Sequence, residues 1–161
     1  MFPPPPTRLQ ALELKIPPPV VALLLGAAAW WLAPLGPAIG WPDTLRQGLA
    51  GVLLLAGVSL DFSGLVAFVL RRTTISPLSP HKSRALVTTG AYRFTRNPMY
   101  LGMVCLLSAW AVWLAALLPW LAPVAFILYI TRFQIRPEER VLTDVFGPAY
   151  TDYTRRVRRW L

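Results

Sequence analysis

The chain has 161 residues, of which 55% are hydrophobic and only 14% charged, well below the ~25% charge of an ordinary soluble domain. One cysteine excludes an internal disulfide, and one cysteine with one histidine falls short of a typical zinc ligand set. The formal charge of +9 fits a nucleic-acid or an anionic-membrane partner, and the placement of the Lys and Arg residues chooses between them.

In chain order, the opening MFPPPPT run favours extended polyproline backbone and reads as a solvated or interfacial lead-in. Val20 to Ile39 follow as twenty uncharged residues, about the ~20 that cross a ~30 Å hydrocarbon core. Ala27 to Ala29 are small, as at a signal-peptide cleavage site, but the proline-rich start and the Trp30 and Trp31 continuation fit a retained helix better. A second span is expected between Arg46 and Arg71, where Asp61 is the only charge. From Arg96 to Arg132 the 35 intervening residues carry no charge; as one helix of about 52 Å they would have to tilt by about 55°, beyond the roughly 0–40° range of membrane helices. A helical hairpin turning near Leu117, Leu118 and Pro119 is therefore predicted, with Trp110, Trp113, Trp120 and Tyr129 suited to its headgroup-level ends.

The charges agree with four spans. Arg71 to Arg96 hold six basic and no acidic residues, and Arg132 to Leu161 hold seven basic against four acidic. With Arg8 and Lys15, fifteen of the 16 basic residues fall on one face, the cytoplasmic one by the positive-inside rule. The predicted protein is an all-α integral membrane protein of about four spans with a C-terminal helix. It forms one domain over 1–161, with the lead-in and first two spans over 1–76 and a core over 77–161. Topology thus accounts for the positive charge without nucleic acid.

Two polar clusters flank the hairpin. In the first, LVTTGAYRFTRNPMYLG from Leu86 to Gly102, Gly90 marks a turn and Asn97-Pro98 a boundary followed by a helix. Asn97 is either a plain N-cap, with Arg93 and Arg96 meeting lipid phosphates, or the edge of a site where free helix amides receive a carboxylate or another acceptor. The second cluster runs from Arg132 to Trp160. Glu138 and Glu139, with Pro137 in the first turn of a helix, either favour the helix dipole or accept hydrogen bonds from a cationic or hydroxylated ligand held against the Asn97 turn. Arg132 and Arg136, one turn apart, are either ordinary anchors or contacts for an acidic substrate.

The order LVTTGAYRFTRNPMYLG, hairpin, RPEERVL, FGPAY, YTRRVRRW resembles the isoprenylcysteine carboxyl methyltransferase family and the related membrane phospholipid methyltransferases, over roughly Pro77 to Trp160. The resemblance implies an S-adenosylmethionine-dependent methyltransferase whose cofactor binds at the cytoplasmic helix ends. Leu86, Val87 and Tyr92 match the segment that wraps the cofactor; Arg96, Asn97, Pro98 and Tyr100 match the central motif; Glu138 and Glu139 match the glutamate pair. Asn97 departs from the histidine of the eukaryotic isoprenylcysteine enzymes, and asparagine cannot carry a proton near neutral pH. The implied partners are a lipophilic acceptor (carboxylate, thiol or amine) and membrane lipids, with neither metal nor nucleic acid.

No G-x-G occurs, so the glycine-rich turn of dinucleotide-binding folds is absent. The competing readings are a noncatalytic membrane module that uses its basic face, which needs no glutamate pair, and a small transporter, which ordinarily needs polar groups along its spans. Asp61, near mid-membrane, is a candidate functional acid or a neutral, hydrogen-bonded one. His81 reads as an exposed loop histidine and Cys105 as a small apolar residue of the third span. Gly36 and Gly40 form a G-x-x-x-G spacing that Pro37 weakens.

Overall fold

The computed structural model describes residues 13–70 and 86–161. The proline-rich lead-in, Arg8, and the stretch with Arg71, Arg72, His81, Lys82 and Arg84 lie outside the described residues. Six α-helices occur among those described: α1 (Pro18–Leu32), α2 (Asp43–Leu70), α3 (Pro98–Leu114), α4 (Leu121–Ile130), α5 (Arg136–Phe146) and α6 (Pro148–Arg156). Three helical runs are long and apolar enough to cross a membrane, and α3 is a shorter apolar fourth.

The spans form where expected, but two boundaries differ. The first helix stops at Leu32, short of Ile39, and a 3-10 turn over Ala33–Leu35 follows. Gly36 is extended, at φ −114° and ψ 170°, as expected for a residue whose α conformation is disfavoured by the following Pro37. The predicted hairpin is present: Ala115 takes a left-handed φ of 49° and Pro119 sits in a 3-10 turn over Leu118–Trp120. The second difference concerns α5. A π turn over Thr131–Ile135 joins α4 to α5, giving continuous helix from Leu118 to Phe146. Pro137 does lie in the first turn of α5, yet helix precedes it, so Glu138 and Glu139 face no free helix N-terminus. The uncharged stretch ends before Arg132, and Arg132, Arg136, Glu138, Glu139 and Arg140 place the following turns beyond hydrocarbon. The C-terminal helix is two helices, broken at Gly147, whose φ of +51° suits glycine.

Helix α3 is central, packing against α2, α1 and α4. Its contact with α2 is close because Gly102 meets Gly57: a Cβ added at Gly102 would lie 2.9 Å from the Gly57 carbonyl oxygen and 2.8 Å from Asp61 Cγ. Small residues permit this approach in a membrane, where tight packing replaces the hydrophobic drive. On the other side of α3, Val21, Tyr100, Leu107, Phe126 and Ile130 form the core shared with α1 and α4. At the end away from the basic residues, the two connecting loops pair by backbone alone. The Ile39 N–H donates to the Ala115 carbonyl at 2.7 Å, and the Leu117 N–H to the Pro37 carbonyl at 3.0 Å, around an antiparallel bridge between Ala38 and Ala116.

Candidate functional site

The up-and-down order brings the start of α1, the end of α2, the start of α3 and the end of α4 to one end of the bundle. There the two polar clusters meet. Tyr100, on the first turn of α3, donates its hydroxyl to Glu138 Oε1 at 2.6 Å. Arg96, just before α3, pairs with Glu139 at 2.9 Å. Arg159 grips the same carboxylate with two bonds, Nε to Oε1 at 3.0 Å and Nη2 to Oε2 at 2.6 Å. The adjacent glutamates thus divide by partner: Glu139 is held between two guanidiniums, whereas Glu138 has a tyrosine, and both are half-buried.

The segment after α6 closes the site. It runs beside residues 95–97, where the Arg96 N–H donates to the Arg158 carbonyl at 3.0 Å. The Arg159 carbonyl accepts from Asn97 Nδ2 at 2.9 Å and from the Thr95 hydroxyl at 3.3 Å. Asn97 is therefore not an N-cap through its side chain; it is a donor that ties the C-terminal segment to the start of α3. Pro98 is fully buried in the first turn of α3, where its missing N–H costs no helix bond.

Leu86 and Val87 lie on the flank. Val87 packs with Ala67 of α2 and Tyr92, and Leu86 packs against Tyr150, Tyr153 and Val157. The Tyr153 hydroxyl donates to the Tyr92 carbonyl at 2.7 Å. Burial raises the Tyr92 and Tyr153 phenols above their ordinary range. Burial, aided by the Glu139 charge, pushes Tyr150 up to about 12. These hydroxyls therefore stay protonated. The hydrogen bond to Glu139 holds Arg159 above its already high value.

Arg132 is placed elsewhere: it bonds Glu13 at 2.6 Å, ahead of α1. Arg136 is exposed. Asp61 lies on the opposite side of α3 against Gly102, with Oδ1 buried and no hydrogen-bond partner among the described residues. Arg159, Thr95, Tyr150, Tyr153 and Glu13 are the members of this end that the sequence did not single out. Their only signals were the arginine-rich ending and the Tyr150 and Tyr153 spacing, which helical geometry puts on one face.

Two features bear on ligands. Arg96 keeps its Nε buried without a hydrogen-bond partner among the described residues, a donor available to an anionic group. An apolar groove of about 620 Å³ runs between α1 and α3, lined by residues including Leu23, Trp30, Met103, Leu106 and Trp110; Met103 is one turn along α3 from Tyr100. Among the described residues no three His, Cys, Asp or Glu side chains gather as metal ligands.

A protein of Haemophilus influenzae described only as uncharacterized is 48% identical over 63 residues, which is 39% of this chain and the whole of that protein. The phospholipid methyltransferase family model matches residues 45–149, from the first turn of α2 through Glu138 and Glu139 of α5 to the start of α6. By that match the chain belongs to the phospholipid methyltransferase family, a family of membrane methyltransferases.

Proposed function

We propose that the protein transfers a methyl group from S-adenosylmethionine to a lipophilic acceptor bearing a carboxylate, thiol or amine, at the cytoplasmic face of the cytoplasmic membrane. The observation that carries this reading is the meeting of Tyr100 with Glu138 and of Arg96 with Glu139 at one end of the helices. Of the described Lys and Arg residues, only Arg46 belongs to the opposite end, and by the positive-inside rule this supports a cytoplasmic site.

The residues suit the cofactor. The unpartnered Arg96 Nε matches its carboxylate, and Glu138, with solvent access, can accept hydrogen bonds from its ribose or amino group. When bound, S-adenosylmethionine supplies a methyl group already activated by the sulfonium. Tyr92 and Tyr100 offer ring faces for the adenine or for a cation, and Leu86, Val87 and the tyrosines of α6 exclude water from the flank. Asn97 is engaged by the Arg159 carbonyl, and an amide carries no proton near neutral pH. Asn97 therefore contributes alignment, and alignment with desolvation gives large accelerations when the reacting atoms are held close. The groove beside Met103 supports lateral approach of an apolar acceptor from the bilayer. Arg136, exposed beside the glutamates, is the better placed of the two arginines to meet an acidic acceptor, since Glu13 occupies Arg132.

Calorimetric titration of the detergent-purified protein with S-adenosylmethionine and with its demethylated product tests the reading. Binding is expected, and Glu138→Ala should weaken it by about a hundredfold, or ~2.7 kcal/mol. A folded wild-type protein that binds neither compound would instead act as a noncatalytic module. Labelled cofactor incubated with a total lipid extract then identifies the acceptor class.

A further inference from the structure

Pro137 has no N–H to give the Phe133 carbonyl, its partner four residues back in a regular α-helix. That carbonyl instead accepts the N–H of Leu14 at 3.0 Å, from the segment that precedes α1. Leu14 holds a left-handed φ of 57°, an uncommon conformation for leucine that persists where surrounding contacts fix it. Alongside, Gln134 Nε2 donates to the Ile16 carbonyl at 2.7 Å. Glu13 completes the contact: one oxygen accepts from Arg132 at 2.6 Å and the other from Arg140. Its side chain is only 10% exposed.

Arg132 precedes Pro137 and Arg140 follows it, with most of the π turn, Glu138 and Glu139 between them. A π turn is an irregularity where a helix changes direction readily. One carboxylate bound to both arginines therefore ties the π turn to the site helix α5 across Pro137. These contacts come from residues 13–16, whereas the match to the family model begins at residue 45.

We propose that Glu13 is a positioning residue: acting through Arg132 and Arg140, it holds α5 so that Glu138 and Glu139 face Tyr100 and Arg96. The effect on cofactor binding rests on the function proposed above; the effect on α5 does not.

The test uses full-length protein in detergent, carrying Glu13→Gln, with hydrogen exchange and methyl-transfer kinetics read together. Amides of residues 136–146 should exchange about tenfold faster, as a locally loosened element does, while those of α3 keep the wild-type rate. The KM for S-adenosylmethionine should rise about tenfold, equivalent to ~1.4 kcal/mol, with kcat largely retained. The charge-inverted combination Glu13→Arg, Arg132→Glu and Arg140→Glu should restore protection of α5. Unchanged exchange in α5, or equal acceleration in α1, α3 and α5, overturns the proposal. If the wild-type protein binds no S-adenosylmethionine, the functional reading fails and the exchange result alone decides the role of Glu13.

Discussion

The two ends of this helical bundle solve the same problem with different chemistry. Each must join neighbouring helices where hydrocarbon gives way to water, and each must satisfy the backbone groups that helix ends release. Away from the basic residues this is done by backbone pairing, Ile39 to Ala115 and Leu117 to Pro37, with one exposed ion pair between Asp43 and Arg46. The basic end uses side chains: Glu139 between Arg96 and Arg159, Tyr100 on Glu138, and Asn97 and Thr95 on one carbonyl. Backbone pairing closes a turn but presents little that a ligand could recognise. Side-chain networks leave donors and acceptors that can be redirected. On the function proposed above, the difference separates an end that holds the bundle shut from one that carries the site.

The largest stability effect that distinguishes the ends should come from Glu139→Ala. It leaves Arg96 and Arg159 facing each other at a partly buried position, 13% and 35% exposed. Removing one partner of a wholly buried pair costs ~3–5 kcal/mol, so a partly exposed one should cost about 2–3 kcal/mol. Chemical unfolding in detergent measures the loss, and limited proteolysis should release the segment after α6. A variant that keeps wild-type stability and tail protection would mean that the ion pairs are incidental.

Much of this contrast was legible before any coordinates. The uncharged runs set the spans, their length set the hairpin, and the one-sided arginines set which end carries the polar groups. The resemblance drew attention to Tyr100, Arg96 and the glutamate pair, and the fold brings these side chains together. What the sequence did not reveal depends on long-range pairing. Nothing local indicates that Glu13 will meet residues more than a hundred positions later, or that the Phe133 carbonyl released by Pro137 will find Leu14. Asn97 shows the same limit: it holds the N-cap position of α3, but only the returning C-terminal segment supplies the carbonyl that its side chain bonds. The π turn was equally hidden, because Pro137 suggests a new helix start as readily as an absorbed irregularity.

A smaller effect distinguishes the two roles of Asn97 directly. As an N-cap it would tolerate Asp or Ser, which are equally good caps. As a donor to the Arg159 carbonyl at 2.9 Å, it loses about 1 kcal/mol on change to Ser. It should lose more on change to Asp, which sets an acceptor against an acceptor. Thermal melts of Asn97→Asp and Asn97→Ser give the order, and Asp at least as stable as Ser would return Asn97 to the capping role.

The smallest effect belongs to the opposite end. Asp43 is 78% exposed in its pair with Arg46, and solvent-exposed pairs of this kind contribute about 0–0.5 kcal/mol. Arg46 also lies 5.7 Å over the Trp113 ring, a contact that does not need Asp43. Asparagine in the first turn of α2 keeps a hydrogen-bonding side chain and removes only the charge. Asp43→Asn should therefore leave the melting temperature and S-adenosylmethionine affinity at wild-type values within error. Since α2 runs from Asp43 to the Ala67 that packs on Val87 and Tyr92, a fall in affinity would mean that this helix transmits strain along its length. The two ends would then be coupled through the close Gly57 and Gly102 contact rather than independent.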